Sequence, residues 1–163
     1  MKKSKVTLFL VLISVVSLAA FTSASKTTQL YNNSLAKQLI GEWRNVYVKI
    51  TLHHKTDPVF VMEADSSNWE EKLQIKPIRT HFMEDGTYYS EYRNVKDTLV
   101  KKPSGTWKLK RDSLFMTQQI PDKSIYKFHL KIIKDRATFT GVIDFDGEGI
   151  DNDEYFGIQK KFR

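Results

Sequence analysis

The chain has 163 residues, 40% of them hydrophobic and 28% charged, with no cysteine and a net charge of +7. That length suits one domain with a core large enough to stand without staples. The lack of cysteine excludes disulfides, thiol nucleophiles, cysteine-ligated metals and a lipid-modified cysteine anchor.

Residues 1–24 have the pattern of a secretory signal peptide: Lys2, Lys3 and Lys5, an apolar run from Val6 to Ala20, then small residues at Ser23, Ala24 and Ser25. The run is shorter than a membrane span needs and carries Ser14 and Ser17. Cleavage near Ala24 leaves no stable membrane anchor and a secreted or periplasmic chain. It removes three lysines, taking the net charge from +7 to +4. The remaining cations are scattered rather than gathered into a patch, which argues against a nucleic-acid partner.

Residues 25–40 form a Ser, Thr and Asn-rich spacer, with an Asn32-Asn33-Ser34 acceptor sequence, and then a short helix. In that helix Tyr31, Leu35 and Leu39 recur every fourth residue and Gly41 is the stop. From Gly41 onward the hydrophobic period is two. Val46, Val48, Ile50 and Leu52 alternate with polar neighbours, and Val59 to Met62 follows the Asp57-Pro58 turn. Residues 63–72 are polar without a clear period. A strand over Leu73 to Met83 is broken at Pro77, and Glu84-Asp85-Gly86 turns the chain into Thr87 to Asn94. After a polar loop with Pro103 come Thr106 to Lys110, Ser113 to Gln118, Tyr126 to Ile132, Ala137 to Phe145 and Tyr155 to Phe162. Eight or nine short strands joined by hairpins predict an all-β protein. The favoured architecture is an antiparallel up-and-down barrel of about eight strands over residues 41–163, because closure pairs the two edges.

With these elements placed, the chain resembles the small bacterial lipocalin-like domains of the calycin group. The resemblance lies in Leu39-Ile40-Gly41-Glu42-Trp43, a Gly-x-Trp opening the first strand after a short helix, and in Phe82-Met83-Glu84-Asp85-Gly86-Thr87. Gly105-Thr106-Trp107-Lys108-Leu109 and the basic C-terminal strand extend it. It implies that Gly41 and Trp43 close one end of the barrel. It also implies that a cation from the last strand (Lys160, Lys161 or Arg163) covers the Trp43 ring. A small apolar molecule in the barrel mouth follows from the same resemblance, with Tyr47, Phe82, Tyr88, Tyr92, Trp107, Tyr126 and Phe128 as candidate lining residues. One conflict stands: if Trp43 points inward, strict alternation sends Asn45, Tyr47 and Lys49 inward and Val46, Val48 and Ile50 outward. Either a bulge resets the phase or the outer face is covered by the helix or a partner.

For chemistry, the acidic run from Asp144 to Glu154 is the sharpest local feature. Asp144, Asp146, Glu148 and Asp151, with glycines between, offer oxygen ligands in the manner of a calcium loop. The match holds only in its first half, and an acidic hairpin loop explains the same residues. No other cofactor is expected. His53, His54, His81 and His129 lack zinc spacing, and no nucleophile elbow or phosphate loop occurs. The expectation is therefore a non-enzymatic exported barrel, monomeric or weakly dimeric, that holds a small hydrophobic or amphipathic molecule. Its rival is a ligandless structural or interaction module of the cell envelope.

Overall fold

The structure, a computed structural model, describes residues 34–53 and 59–162. The signal-peptide region, Tyr31, Asn32, His54 and Arg163 lie outside the described residues. Helix α1 occupies 34–39. The strands are β1 (Gly41–Leu52), β2 (Phe60–Asp65), β3 (Arg79–Phe82), β4 (Thr87–Arg93) and β5 (Leu99–Lys101). They continue as β6 (Ser104–Lys110), β7 (Ser113–Ile120), β8 (Ser124–Ile133), β9 (Arg136–Ile143) and β10 (Asp153–Phe162), with helix α2 at Trp69–Leu73.

Eight of these strands close an antiparallel up-and-down barrel. Going round, β1 is followed by β3, β4 and β6 to β10, and β10 returns to pair with β1 from Glu42↔Phe162 to Thr51↔Glu154. β2 and β5 are added beside this circuit. β1 gives its first residues (Gly41–Arg44) to β3 and its later ones (Tyr47–Leu52) to β2, on the same edge. Short β5 sits likewise on the end of β4.

The change of partner along β1 coincides with a bulge. Asn45 pairs with Gln159 and Tyr47 with Ile158, which leaves Val46 without an opposite residue. The Ser66 hydroxyl donates to the Val46 carbonyl at 3.1 Å, and Asn45 N–H donates to the Ile78 carbonyl at 3.0 Å, so the disrupted ladder keeps its partners. The phase conflict resolves through this bulge. Trp43 and Asn45 are buried before it, and Val48 and Ile50 after it.

The barrel core runs through Trp43, Phe82, Tyr88, Leu114, Phe128 and Phe139, and α1 seals one end by adding Leu35 and Leu39. Burying each leucine contributes about 1.5–3 kcal/mol, so α1 belongs to the barrel rather than to a spacer. A second cluster (Val48, Ile50, Ala64 and Trp69) fastens β2 and α2 to the wall. Here the expected strand from Leu73 is corrected: Trp69–Leu73 is helical, Gln74 takes a left-handed C-cap conformation, and β3 starts only at Arg79. Burial of Trp69 selects the helix, and Pro77 delays the strand because it has no N–H to give to a ladder.

Candidate functional site

Trp43 organises the sealed end. Its ring is fully buried, and its indole Nε1 donates to the Leu39 carbonyl at 2.6 Å. Lys161 Nζ stands 5.1 Å from the ring centroid and donates to the Gln38 carbonyl at 2.5 Å. Among the described basic residues of the last strand, Lys161 is therefore the cation over Trp43, and desolvation lowers its pKa. Lys160 instead reaches Asp135 at 3.7 Å. Gly41 has φ +122°, and a side chain there would press on Lys161.

Above this plug the barrel is not filled. A cavity of about 190 Å³ opens among β1, β3, β4, β7, β8, β9 and β10. Of the aromatic residues expected to line it, Phe82, Tyr88, Tyr92, Tyr126 and Phe128 do so. Tyr47 does not. The bulge turns it outward, where its hydroxyl donates to Glu63 Oε1 at 2.6 Å and its ring meets Phe156 edge-on. That hydrogen bond raises the pKa of the Tyr47 phenol. Trp107 is likewise outside the cavity, packed edge-on against Phe82, with Nε1 shared between the Met83 and Thr87 carbonyls. It ties down the turn at Glu84-Asp85-Gly86 rather than lining a site.

The cavity wall carries no charged side chain, and its polar groups form small sets. Thr80 and Ser90 hydroxyls meet at 2.9 Å on neighbouring strands, and Gln118 Nε2 donates to the Asp122 carbonyl at 3.0 Å. Asn45 and Gln159 face each other across the β1–β10 ladder; Gln159 Nε2 donates to Asn45 Oδ1 at 3.3 Å. Asn45 also hydrogen-bonds the Tyr155 hydroxyl. Gln159 Oε1 is buried and has no hydrogen-bond partner. Burial raises the pKa values of Tyr88, Tyr92 and Tyr155, so all three phenols face the cavity neutral at physiological pH.

Alternation from Trp43 already turns Asn45 inward, but Gln159 and Tyr155 were not among the expected lining residues. Lys161 carried the signal that finds those two. If it lies over Trp43, period two along β10 places Gln159, Gly157, Tyr155 and Asp153 inward as well.

The acidic loop lies beyond β9. Carboxylate oxygens of Asp144, Asp146 and Asp153 come within 4.8 Å of one another, whereas Glu148 and Asp151 are not part of that group. Asp144 accepts the N–H groups of Gly147 and Gly149, and Asp146 accepts that of Glu148. Asp153 is fully buried and accepts the N–H groups of His53 at 3.0 Å and Phe145 at 2.8 Å. Glu148 instead takes the Asn152 side-chain amide at 2.6 Å. Backbone amides thus supply the positive partners that gather these carboxylates.

Among the described residues, no helix is long and apolar enough to cross a membrane. No protein-family model matches the chain, and no curated protein matches it.

Proposed function

We propose that this chain is an exported, lipocalin-like carrier that holds one small apolar or amphipathic molecule inside its barrel and performs no reaction on it. The observation that carries the reading is the cavity of about 190 Å³ above the Trp43 plug. An eight-stranded barrel is about wide enough either to be packed solid or to hold one small ligand, and this interior leaves the space. The volume also sets the guest's size. An apolar protein cavity of about 150 Å³ takes one benzene, so the guest is near a single ring or a short chain, well below a long-chain lipid. Export rests on the N-terminal pattern of Lys2, Lys3, Lys5 and the apolar run to Ala20.

The test is a native mass spectrum of the protein purified from cells under gentle desolvation. A monomer with a small extra mass supports the reading, and the mass identifies the guest class. A bare monomer that also gains no mass with added phenol or toluene overturns it.

A second reading, an interaction module, has its own observation. Among the described strands β2 pairs only with β1, and Phe60 and Val61 on it are 57% and 47% exposed. A bare dimer that dissociates in Phe60→Lys would favour it.

A further inference from the structure

We propose that the barrel docks on an anionic lipid surface through the tips of two neighbouring hairpins at its open end, β4–β6 and β7–β8. The inference goes beyond the carrier reading. It says where the barrel works, and it holds whatever the cavity contains.

The first observation is the placing of the apolar surface. Among the described residues, exposed large apolar side chains gather toward the end of the barrel away from Trp43, and only Ile133 and Phe162 stand at the sealed end. Five of them belong to two hairpins. Val95, Leu99 and Val100 lie in the excursion between β4 and β6, and Ile120 and Ile125 flank the β7–β8 turn. Their exposure runs from 43% at Leu99 to 73% at Ile125. The two hairpins are neighbours: β5 lies on the end of β4, and Ser104, opening β6, pairs with Ile120. Aliphatic side chains on protruding tips suit a soft layer that closes around them, as lipid headgroups do.

The second is charge. Lys96, Lys101, Lys102 and Lys123 are exposed on the same tips. Arg93 and Lys102 share Glu91 at 3.3 and 3.8 Å. Among the described salt bridges none involves Lys96, Lys101 or Lys123. Asp97 and Asp122 are the other carboxylates of these tips, so five cations stand against three acids. Lysine stems lie along apolar surface while their ammonium groups reach phosphates. The β9–β10 loop, half a circuit from the β4–β6 hairpin, holds six carboxylates and no cation between Asp144 and Glu154. An anionic surface therefore attracts one side of the mouth and repels the other, and the barrel leans on its β4–β8 side.

The third is the place of the tips relative to the cavity. Tyr92, Pro103, Gln118 and Tyr126, at the bases of these hairpins, line it. A docked barrel thus has its mouth beside the lipid.

The test is flotation of the chain from Ser25 with vesicles of phosphatidylcholine, alone or mixed with phosphatidylglycerol. That chain keeps α1 and the whole closed barrel, and it omits the run from Val6 to Ala20, which is apolar enough to bind lipid by itself. Binding is expected on the mixed vesicles at low salt, weakening as salt screens the lysines, and far less on phosphatidylcholine. Lys96→Gln, Lys101→Gln and Lys123→Gln together are expected to lower the affinity about a hundredfold, about fivefold for each lysine. The control removes three exposed lysines away from the tips, by Lys108→Gln, Lys110→Gln and Lys131→Gln, and is expected to lower it far less. Leu99→Ser, Val100→Ser and Ile120→Ser together keep the charge and are expected to lower it by at least about tenfold. Melting curves check that each variant is folded, and single substitutions replace any that is not. No binding to the mixed vesicles at low salt overturns the proposal and leaves a protein as the partner of the tips. Equal losses in the tip and control lysine variants overturn the assignment to the tips, and full binding by the serine variant overturns the part given to the apolar side chains. An empty cavity changes none of these outcomes and counts against the carrier reading alone.

Discussion

Gly157→Ala is a substitution for which two effects of opposite sign compete. Gly157 lies buried on β10, facing Val48 on β1 and Phe139 on β9. In an accommodating strand site, glycine is worse than alanine by about 0.5–1 kcal/mol, because it loses more backbone freedom on folding. Here the site does not accommodate. A Cβ at position 157 would stand 2.5 Å from Tyr155 Oη and 2.9 Å from two further atoms of that ring. The Tyr155 ring lies along its own strand over Gly157, held by Asn45 at its hydroxyl and by Phe128 at 5.2 Å. Displacing it costs about 1–3 kcal/mol of overpacking and about 1 kcal/mol for the Asn45 hydrogen bond. The loss exceeds the gain, and the net is a destabilisation of about 1–3 kcal/mol, or roughly 4–12 °C in Tm for a domain of this size. Thermal and urea unfolding of Gly157→Ala, Tyr155→Ala and the double variant would measure it. In the double variant the alanine at 157 is expected to cost nothing or to stabilise slightly. A Gly157→Ala protein as stable as the parent, or costs that add in the double variant, would refute the stacked arrangement of Tyr155 over Gly157.

Other outcomes follow from the same structure. Trp43→Ala removes the fully buried indole and its Leu39 bond, and urea unfolding is expected to show a loss of about 3–5 kcal/mol; an unchanged midpoint would refute its role as the plug. Asp153→Ala strands the N–H groups of His53 and Phe145 and is expected to cost about 2–4 kcal/mol, several times more than Asp146→Ala in the exposed part of the loop; equal costs would contradict the reading that Asp153 joins the chain at residues 53 and 145. Stability is also expected to fall at alkaline pH. Burial raises the pKa values of Tyr88, Tyr92 and Tyr155 above the ordinary value of about 10, so the folded state keeps protons that the unfolded chain releases. Their contribution is whole below about pH 10 and is lost as pH rises beyond it, by at most about 1.4 kcal/mol per pH unit for each group. The tyrosinate absorbance of these three groups should appear together with unfolding, and full ionisation of all tyrosines near pH 10 with the fold intact would contradict this.

The barrel was legible because most of its strands carry their own signals. Strand β8 alternates Tyr126, Phe128, Leu130 and Ile132 with polar neighbours, and the Glu84-Asp85-Gly86 and Arg111-Asp112 turns mark hairpins in sequence. Two features were illegible for physical reasons. The helix at Trp69–Leu73 is a single turn, too short to show a period, and only the burial of Trp69 against Ala64 and Val48 makes it worthwhile. β5 has all three residues exposed and pairs only at the tip of β4, so no hydrophobic pattern could mark it. The aromatic part of the cavity could be read, since Phe82, Tyr88, Tyr92, Tyr126 and Phe128 sit on clear strands. Its polar half was harder to read, because Thr80, Ser90, Gln118 and Gln159 are polar residues that an alternation rule assigns to the outer face, while slippage at Val46 hid that Tyr47 faces outward. Asn45 and Gln159 are ordinary polar residues until the register of β1 against β10 brings them together.

The sealing of the barrel by its two ends also determines when it can form during folding. The plug is assembled from α1, the first strand and the last, and Lys161 reaches Gln38 across 123 positions of sequence. The hairpins from β6 to β9 can zip locally and early, whereas β1 finds its β10 edge only after nearly the whole chain is present. Such distant pairing carries a large loop-closure entropy and belongs to the slow class of folding topologies. Until β10 arrives, the ladder edges of β1 and β9 and the Trp43 ring lie open to other chains. Truncation of the last ten residues would therefore leave an open, aggregation-prone sheet instead of a slightly weakened barrel.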